Sequence, residues 1–329
     1  MKPHFSIFFP ICLLIGILSS LLSCRKENSY IKDEGLVWNT AYHITYKSDE
    51  NFHDSIVELF EKVSKSLSIF DAASIVSQVN KQDTTEIDER FKTVYETSLK
   101  INEISGGVFD PTVSPLVTAW GFGPRHTPTA DTVAIDSLLQ FVGITKTRII
   151  DNYLIKDDIR TQFNFSAIAK GYGCDEVAAF FMRHDINDFM IEIGGEINLH
   201  GQSPSGTKWK ISIDAPLEEE EISHNSFLIV ELSDCGMATS GNYRNYYQKD
   251  GEKLGHTISP LTGRPVTTDI LSATVISQDA MISDALATAC MAASAENALQ
   301  MLGAMNAEGL LILTDSVVMT PGFDRFIAK

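Results

Sequence analysis

Asp284 and Thr288 stand four residues apart in Asp284-Ala285-Leu286-Ala287-Thr288. On a helix that spacing puts a carboxylate and a hydroxyl on one face, one turn apart. Two hard oxygens so placed can hold Mg²⁺; alternatively, a carboxylate in this apolar stretch is simply satisfied by a partner within the fold. His256 precedes a turn made by Pro260, Gly263 and Pro265. A histidine at a loop edge can take a proton near neutral pH, or merely pair with the turn. Lys170-Gly171 follows Ala167-Ile168-Ala169 near an expected helix start, where unpaired N–H groups and the helix dipole favour an anion. Thr239-Ser240-Gly241-Asn242-Tyr243 reads as a small polar turn after a strand, able to offer N–H groups to phosphate or only to reverse the chain. Gly194-Gly195-Glu196 reads as a tight turn between two strands with a carboxylate just beyond it. The chain has no Gly-x-x-x-x-Gly-Lys-Ser/Thr and no Gly-x-Gly-x-x-Gly in a βαβ setting, so the usual nucleotide loops are missing.

These residues need elements to position them. Alternation from Trp38 to Tyr46 predicts a strand, and apolar residues at helical spacing predict a helix over 52–67. Asp88 can cap a second helix that Gly106-Gly107 ends near 104. Residues 109–127 are punctuated by Asp-Pro, Ser-Pro and Gly-Phe-Gly-Pro yet keep Phe109, Trp120 and Phe122, which predicts a loop packed against something. A short helix over 131–141 and brief strands around Ile149 and Leu154 come next. Ser166 reads as the cap of a helix through Met182. Strands are expected over 189–193, 196–200, 209–213, 227–232 and 271–277, helices over 279–291 and 295–302, and a closing hairpin over 310–313 and 317–319. The acidic run 218–221 reads as a solvated loop. Strands in runs and helices in runs argue for an α+β fold rather than a repeating βαβ wind. No Pro-, Gly- or Ser-rich linker divides the chain, so residues 36–329 read as one composite unit.

The 329 residues carry a formal charge of −17 and are 44% hydrophobic. Such a chain can build a sizeable core, and so acidic a surface repels nucleic acid. No stretch after residue 22 approaches the ~20 apolar residues that span a bilayer. Lys2 and the apolar run over 5–22 read as a secretory signal, and Leu21-Leu22-Ser23-Cys24 resembles a lipobox. The expectation is a signal peptide over 1–23, acylation of Cys24 and a tether over 24–35; an ordinary signal cut elsewhere or an uncleaved anchor are the alternatives. Of the five cysteines, Cys174, Cys235 and Cys290 are then left, dispersed and odd in number, and no disulfide framework or zinc spacing follows. Cys174 and Cys290 fall in apolar helical patterns and read as small core residues.

In their order along the chain, the motifs resemble the ApbE family of FAD:protein FMN transferases over about residues 36–325. The matching features begin with Trp38-Asn39-Thr40-Ala41-Tyr42, Leu67-Ser68-Ile69-Phe70-Asp71 and Ser105-Gly106-Gly107-Val108-Phe109-Asp110-Pro111. They continue with Ala167-Ile168-Ala169-Lys170-Gly171-Tyr172, Ile193-Gly194-Gly195-Glu196, Thr239-Ser240-Gly241-Asn242-Tyr243, His256 with Pro260 and Gly263, and Asp284 through Thr288. The resemblance implies a T-fold-like α+β architecture and a Mg²⁺-dependent reaction. FAD would be cut between its phosphates, and FMN attached by a phosphoester to a threonine or serine of an exported flavin-acceptor protein. It also implies roles: Asp284, Thr288 and the Ala167 carbonyl on the metal; Trp38, Phe70, Asp71, Ala72, Asp110, Lys170 and Ile258 on FAD; His256 as the base. The lipobox agrees with work outside the cytoplasmic membrane, expected at the periplasmic face of a bacterial inner membrane. Trp38-Asn39 stands where Met-Gly is more usual, Ser166 where Gly is, and Ser259 where Asp is. A hydrolase releasing FMN and AMP, and a flavin-binding lipoprotein without turnover, are the competing readings.

Overall fold

Val37 pairs with Thr40 across a two-residue turn in which Trp38 and Asn39 take left-handed backbone, φ 50° and 60°. Such turns match the twist of antiparallel strands, and this one joins β1 (Tyr30–Val37) to β2 (Thr40–Lys47). The computed structural model describes residues 29–122, 132–216, 226–241, 246–249, 252–255 and 257–329. The acidic run 218–221, Asn242, Tyr243, His256, and the first 28 residues with the signal and Cys24 lie outside the described residues.

Helix α1 (His53–Leu67) buries Ile56, Leu59, Phe60, Val63 and Leu67, one apolar stripe at helical spacing. After α2 (Ile75–Val79) and β3 (Thr84–Glu86), Asp88 caps α3 (Glu89–Ile104) by accepting from the Phe91 N–H, and its same oxygen accepts from Ser66 at the end of α1. The short helices α4 (Ser114–Ala119) and α5 (Thr132–Leu139) precede the hairpin of β4 (Thr147–Ile150) and β5 (Tyr153–Lys156). Helix α6 (Ala169–Arg183) leads into β6 (Phe189–Ile193), β7 (Glu196–His200), β8 (Trp209–Asp214), β9 (Ser226–Leu232) and β10 (Cys235–Gly241). The small hairpin β11 (Tyr246–Lys249) and β12 (Glu252–Gly255) is followed by β13 (Ile270–Ser277), α7 (Ala280–Met291), α8 (Ala295–Ala304), β14 (Glu308–Leu313) and β15 (Val317–Met319).

Eight strands form one antiparallel sheet in the order β1-β2-β6-β7-β10-β13-β14-β15. Successive side chains point to opposite faces: Ala238, Ala273, Val275 and Leu311 pack with Val63, Phe91 and Leu286 on the helical side. Met237, Ile276, Leu310 and Ile312 pack with Trp209, Val230 and Phe323 on the other, beneath the β8–β9 pair. The architecture is therefore α+β, with helices on one face of an antiparallel sheet.

Four local expectations are corrected. The tether expected through residue 35 is already strand from Tyr30, so the folded unit begins before residue 36; Lys32, Asp33 and Glu34 look solvated, but an edge strand buries only one face, and there Asp33 accepts from the Tyr42 hydroxyl. Helix α6 starts at Ala169 rather than at Ser166, because the Ser166 N–H and hydroxyl both donate to Asn164 Oδ1, a local turn that competes with capping. Residues 239–241 belong to β10 and are not a turn; Thr239 and Thr274 bond across the strands at 2.8 Å. Of the aromatic segment 109–127, residues 123–127 lie outside the described residues; residues 109–122 contain α4 and are packed as expected, Phe109 being buried and Trp120 Nε1 donating to the Gly263 carbonyl at 2.7 Å.

Candidate active site

Two adjoining cavities open on the helical side of the sheet. The smaller, about 330 Å³, has a largely apolar wall that includes Trp38, Val63, Leu67, Ile69 and Phe70. The larger, about 450 Å³, has a polar wall: Asn164, Ala167, Glu196, Ser240, Asp284 and Thr288 contribute. Ser166 and Lys170 border both, so the two form one bipartite cleft.

Trp38 is fixed from three sides. Its Nε1 donates to Ser64 Oγ at 2.7 Å, its ring meets Phe60 edge-on at 5.5 Å between centroids, and a Cβ on Gly173 would fall 2.4 Å from it. Phe70 is 70% exposed at the rim. A bulky aromatic held in a turn beside an exposed one offers a face to a planar ring.

At the polar end, α6 and α7 cross so closely that a Cβ on Gly171 would lie 2.3 Å from the Ala280 carbonyl oxygen. This closeness lets the Gly171 N–H donate to Asp284 Oδ2 at 3.1 Å. Asp284 is 3% exposed and lies one turn from Thr288, whose Oγ1 is 3.4 Å from Ser240 Oγ. Burial raises the Asp284 pKa, against the Lys170 ammonium and the Gly171 N–H. Lys170 forms an ion pair with Glu196 Oε1. Burial works against its charge, but Asp284 and Glu196 outweigh burial and hold its pKa above the ordinary value. Burial, then Asp284, pushes Glu196 upward, with Lys170 opposing. The hairpin turn Gly194–Gly195 (φ 63° and 103°) sets Glu196 at the first position of β7.

The sequence-selected residues divide as follows. Lys170, Asp110, Ile258, Ala167, Asp284 and Thr288 all line the larger cavity, and Trp38 and Phe70 the smaller. The Asp110 carboxylate is committed to the protein, accepting from Thr112 N and Oγ1 and Ile144 N at 2.6–2.9 Å and from Asn102 Nδ2 at 3.3 Å. It therefore shapes the wall by holding its own loop. Asp71 borders a separate cavity between β1 and α1, and its carboxylate accepts from the Ala73 N–H; Ala72 is exposed and borders neither half of the cleft. Glu196 was legible only as a carboxylate beyond a turn, and nothing in the local pattern pairs it with Lys170.

Among the described residues no three His, Cys, Asp or Glu side chains converge as a metal cage. The donors available to a cation are mixed: the carboxylate of Asp284, the hydroxyl of Thr288 and the carbonyl of Ala167, with Glu196 Oε2 buried and unpartnered nearby. Hard oxygens in small number suit Mg²⁺, which keeps several waters. Two buried carboxylates, Asp284 and Glu196, face the single ammonium of Lys170, a surplus of acidic oxygen that favours a cation.

The chain is similar to known proteins over most of its length. The ApbE family model matches residues 38–311. A protein of Vibrio cholerae named FAD:protein FMN transferase is 34% identical over 315 residues, covering 91% of this chain and 93% of its own. One of Haemophilus influenzae with the same name is 30% identical, covering 95% of each. The solved structure of the flavin transferase ApbE from Vibrio cholerae superposes with a TM-score of 0.82 at 30% identity, over 91% of this chain and 99% of that one. The apo flavinyl transferase ApbE of Pseudomonas stutzeri gives 0.82 at 25% identity, over 92% and 98%. On its fold, its cleft and these matches, the chain belongs to the ApbE family.

Proposed function

We propose that this protein is an FAD:protein FMN transferase that cleaves the FAD pyrophosphate and joins FMN to a threonine or serine hydroxyl of a target protein, releasing AMP. The observation that carries this reading is the bipartite cleft, apolar around Trp38 and Phe70 and charged around Lys170, Asp284 and Glu196. A substrate with planar rings and a pyrophosphate matches that division, and the family's curated relatives bear the name of this activity.

In the proposed reaction the acceptor oxygen attacks the FMN-side phosphorus, the bond from that phosphorus to the bridging oxygen breaks, and AMP leaves with the bridging oxygen. In this reading Lys170, which lines the cavity, would hold a phosphate oxygen, and the N-terminal N–H groups of α6 would add positive potential. Asp284, Thr288 and the Ala167 carbonyl would hold Mg²⁺, which when bound neutralises charge developing on the phosphates. Assignment of the hydroxyl proton to His256 rests on the sequence motif alone. The lipobox at Leu21–Cys24 supports an extracytoplasmic, lipid-anchored enzyme acting on exported acceptors.

The test is mass spectrometry of an acceptor domain incubated with the enzyme, FAD and Mg²⁺, with free AMP and FMN followed in parallel. An adduct of one FMN less one water, absent when the acceptor threonine is replaced by alanine, is expected. Free FMN and AMP without adduct would overturn the transferase in favour of a hydrolase.

A further inference from the structure

Glu196 has an oxygen that the protein does not use. The residue is 4% exposed and its Oε1 is held by Lys170, yet Oε2 is buried without a hydrogen-bond partner while the residue lines the same cavity as Asp284 and Thr288. A buried carboxylate oxygen without a partner is costly, and the surroundings hold Glu196 firmly where it is. The Gly195 N–H donates to Glu192 Oε1 at 2.6 Å, which fixes the turn, and Cys174 Sγ donates to the Glu196 carbonyl at 3.2 Å. Lys170 also cannot neutralise Glu196 and Asp284 together, since one ammonium faces two carboxylates.

We infer that Glu196 supplies a further oxygen to the coordination shell of the divalent cation, through Oε2, while Lys170 clamps Oε1 and sets the direction of the carboxylate. The inference rests on the cation site proposed at Asp284, Thr288 and Ala167, and adds to it a further residue that lines the same cavity. It gives Lys170 two duties, a phosphate contact and the orientation of a carboxylate, and it explains why a carboxylate stands at the first position of β7 directly after a two-glycine turn.

The experiment is titration of the full-length, FAD-free protein with Mn²⁺, read by the electron paramagnetic resonance of free Mn²⁺, on the parent, Asp284→Ala and Glu196→Gln. Glu196→Gln keeps the shape and an acceptor for Lys170 but removes the charge. Loss of binding in Asp284→Ala together with about 10- to 100-fold weaker binding in Glu196→Gln is expected. Loss in Asp284→Ala with Glu196→Gln within twofold of the parent overturns the role of Glu196 and leaves the cation site standing. Parental binding in Asp284→Ala overturns the cation site, and this inference with it. Should circular dichroism show Glu196→Gln unfolded, Glu196→Asp carries the test: its shorter reach is expected to weaken Mn²⁺ about tenfold, and binding within twofold again overturns the inference.

Discussion

The backbone N–H of Gly171 donates to the carboxylate of Asp284, 113 residues further along the chain, at 3.1 Å. The bond exists because Gly171 has no side chain: a Cβ there would lie 2.3 Å from the Ala280 carbonyl oxygen and 2.8 Å from Met281 Cα. One glycine therefore both lets α6 and α7 touch and orients the central acid of the cleft.

Gly171→Ala should accordingly do more than crowd a core. Overpacking is expected to lower the unfolding free energy by about 1–3 kcal/mol, and separation of the helices to cut FMN transfer more than tenfold. Urea unfolding and the mass-spectrometric transfer assay read the two effects. Parental values in both would mean the helices can part without consequence.

Asp284→Ala should split stability from activity. Lys170 keeps Glu196 as its partner and only the buried Gly171 N–H loses its acceptor, so the unfolding free energy should fall by no more than about 1–3 kcal/mol. Transfer should fall by on the order of 10²–10³ with the loss of charge stabilisation at the phosphates. A variant that transfers FMN at the parental rate would remove Asp284 from the mechanism.

Trp38→Ala should act on the other half of the cleft. Stacking of an aromatic side chain on a planar base is worth about 1–3 kcal/mol, so FAD should bind about 10- to 100-fold more weakly, read by quenching of flavin fluorescence. Trp38→Phe keeps a ring but leaves Ser64 Oγ without its 2.7 Å donor; FAD affinity should be largely retained and stability reduced by about 1 kcal/mol. Equal FAD affinity in all three proteins would exclude Trp38 from the ring site.

Asp175 gives a prediction about pH. Its carboxylate accepts from Asn198 Nδ2 and from the N–H groups of Ala280 and Met281 at 2.7–2.9 Å, tying α6 and β7 to the start of α7. Burial, reinforced by Asp279, pushes its pKa up to about 7. The folded value lies above that of the unfolded chain, about 3.9, so the folded state binds the proton more tightly. Its stabilising contribution is full below the unfolded value and is lost as pH rises through the folded one. The unfolding free energy of the parent relative to Asp175→Asn should therefore decline between about pH 4 and about pH 7. A constant difference across that range would show that Asp175 does not take part in the proton balance.

Much of this was readable in the residues. Asp88 as a cap, the glycine pair at 194–195 as a hairpin, and Asp284 with Thr288 on one helix face all follow from local rules, and the structure has each in place. The cap at Ser166 failed because Asn164 offers a nearer acceptor. The start of the folded unit is hidden in the sequence because β1 is an edge strand, whose charged residues satisfy both solvent and fold. The role of Glu196 is illegible for a different reason: its ion-pair partner, Lys170, lies on a helix in another part of the sequence, and no periodicity reports such a meeting. Local pattern identifies elements and their ends, whereas pairing across them belongs to the tertiary structure.

The separation between Gly171 and Asp284 also bears on how the cleft comes into being. Lys170 comes from α6, Glu196 from β7, Ser240 from β10 and Asp284 from α7, which packs on the sheet at β7, β10 and β13. Contacts so distant along the chain close late and slowly. A partly folded chain therefore has no assembled cleft, and during refolding FMN transfer should return no earlier than closure of the sheet.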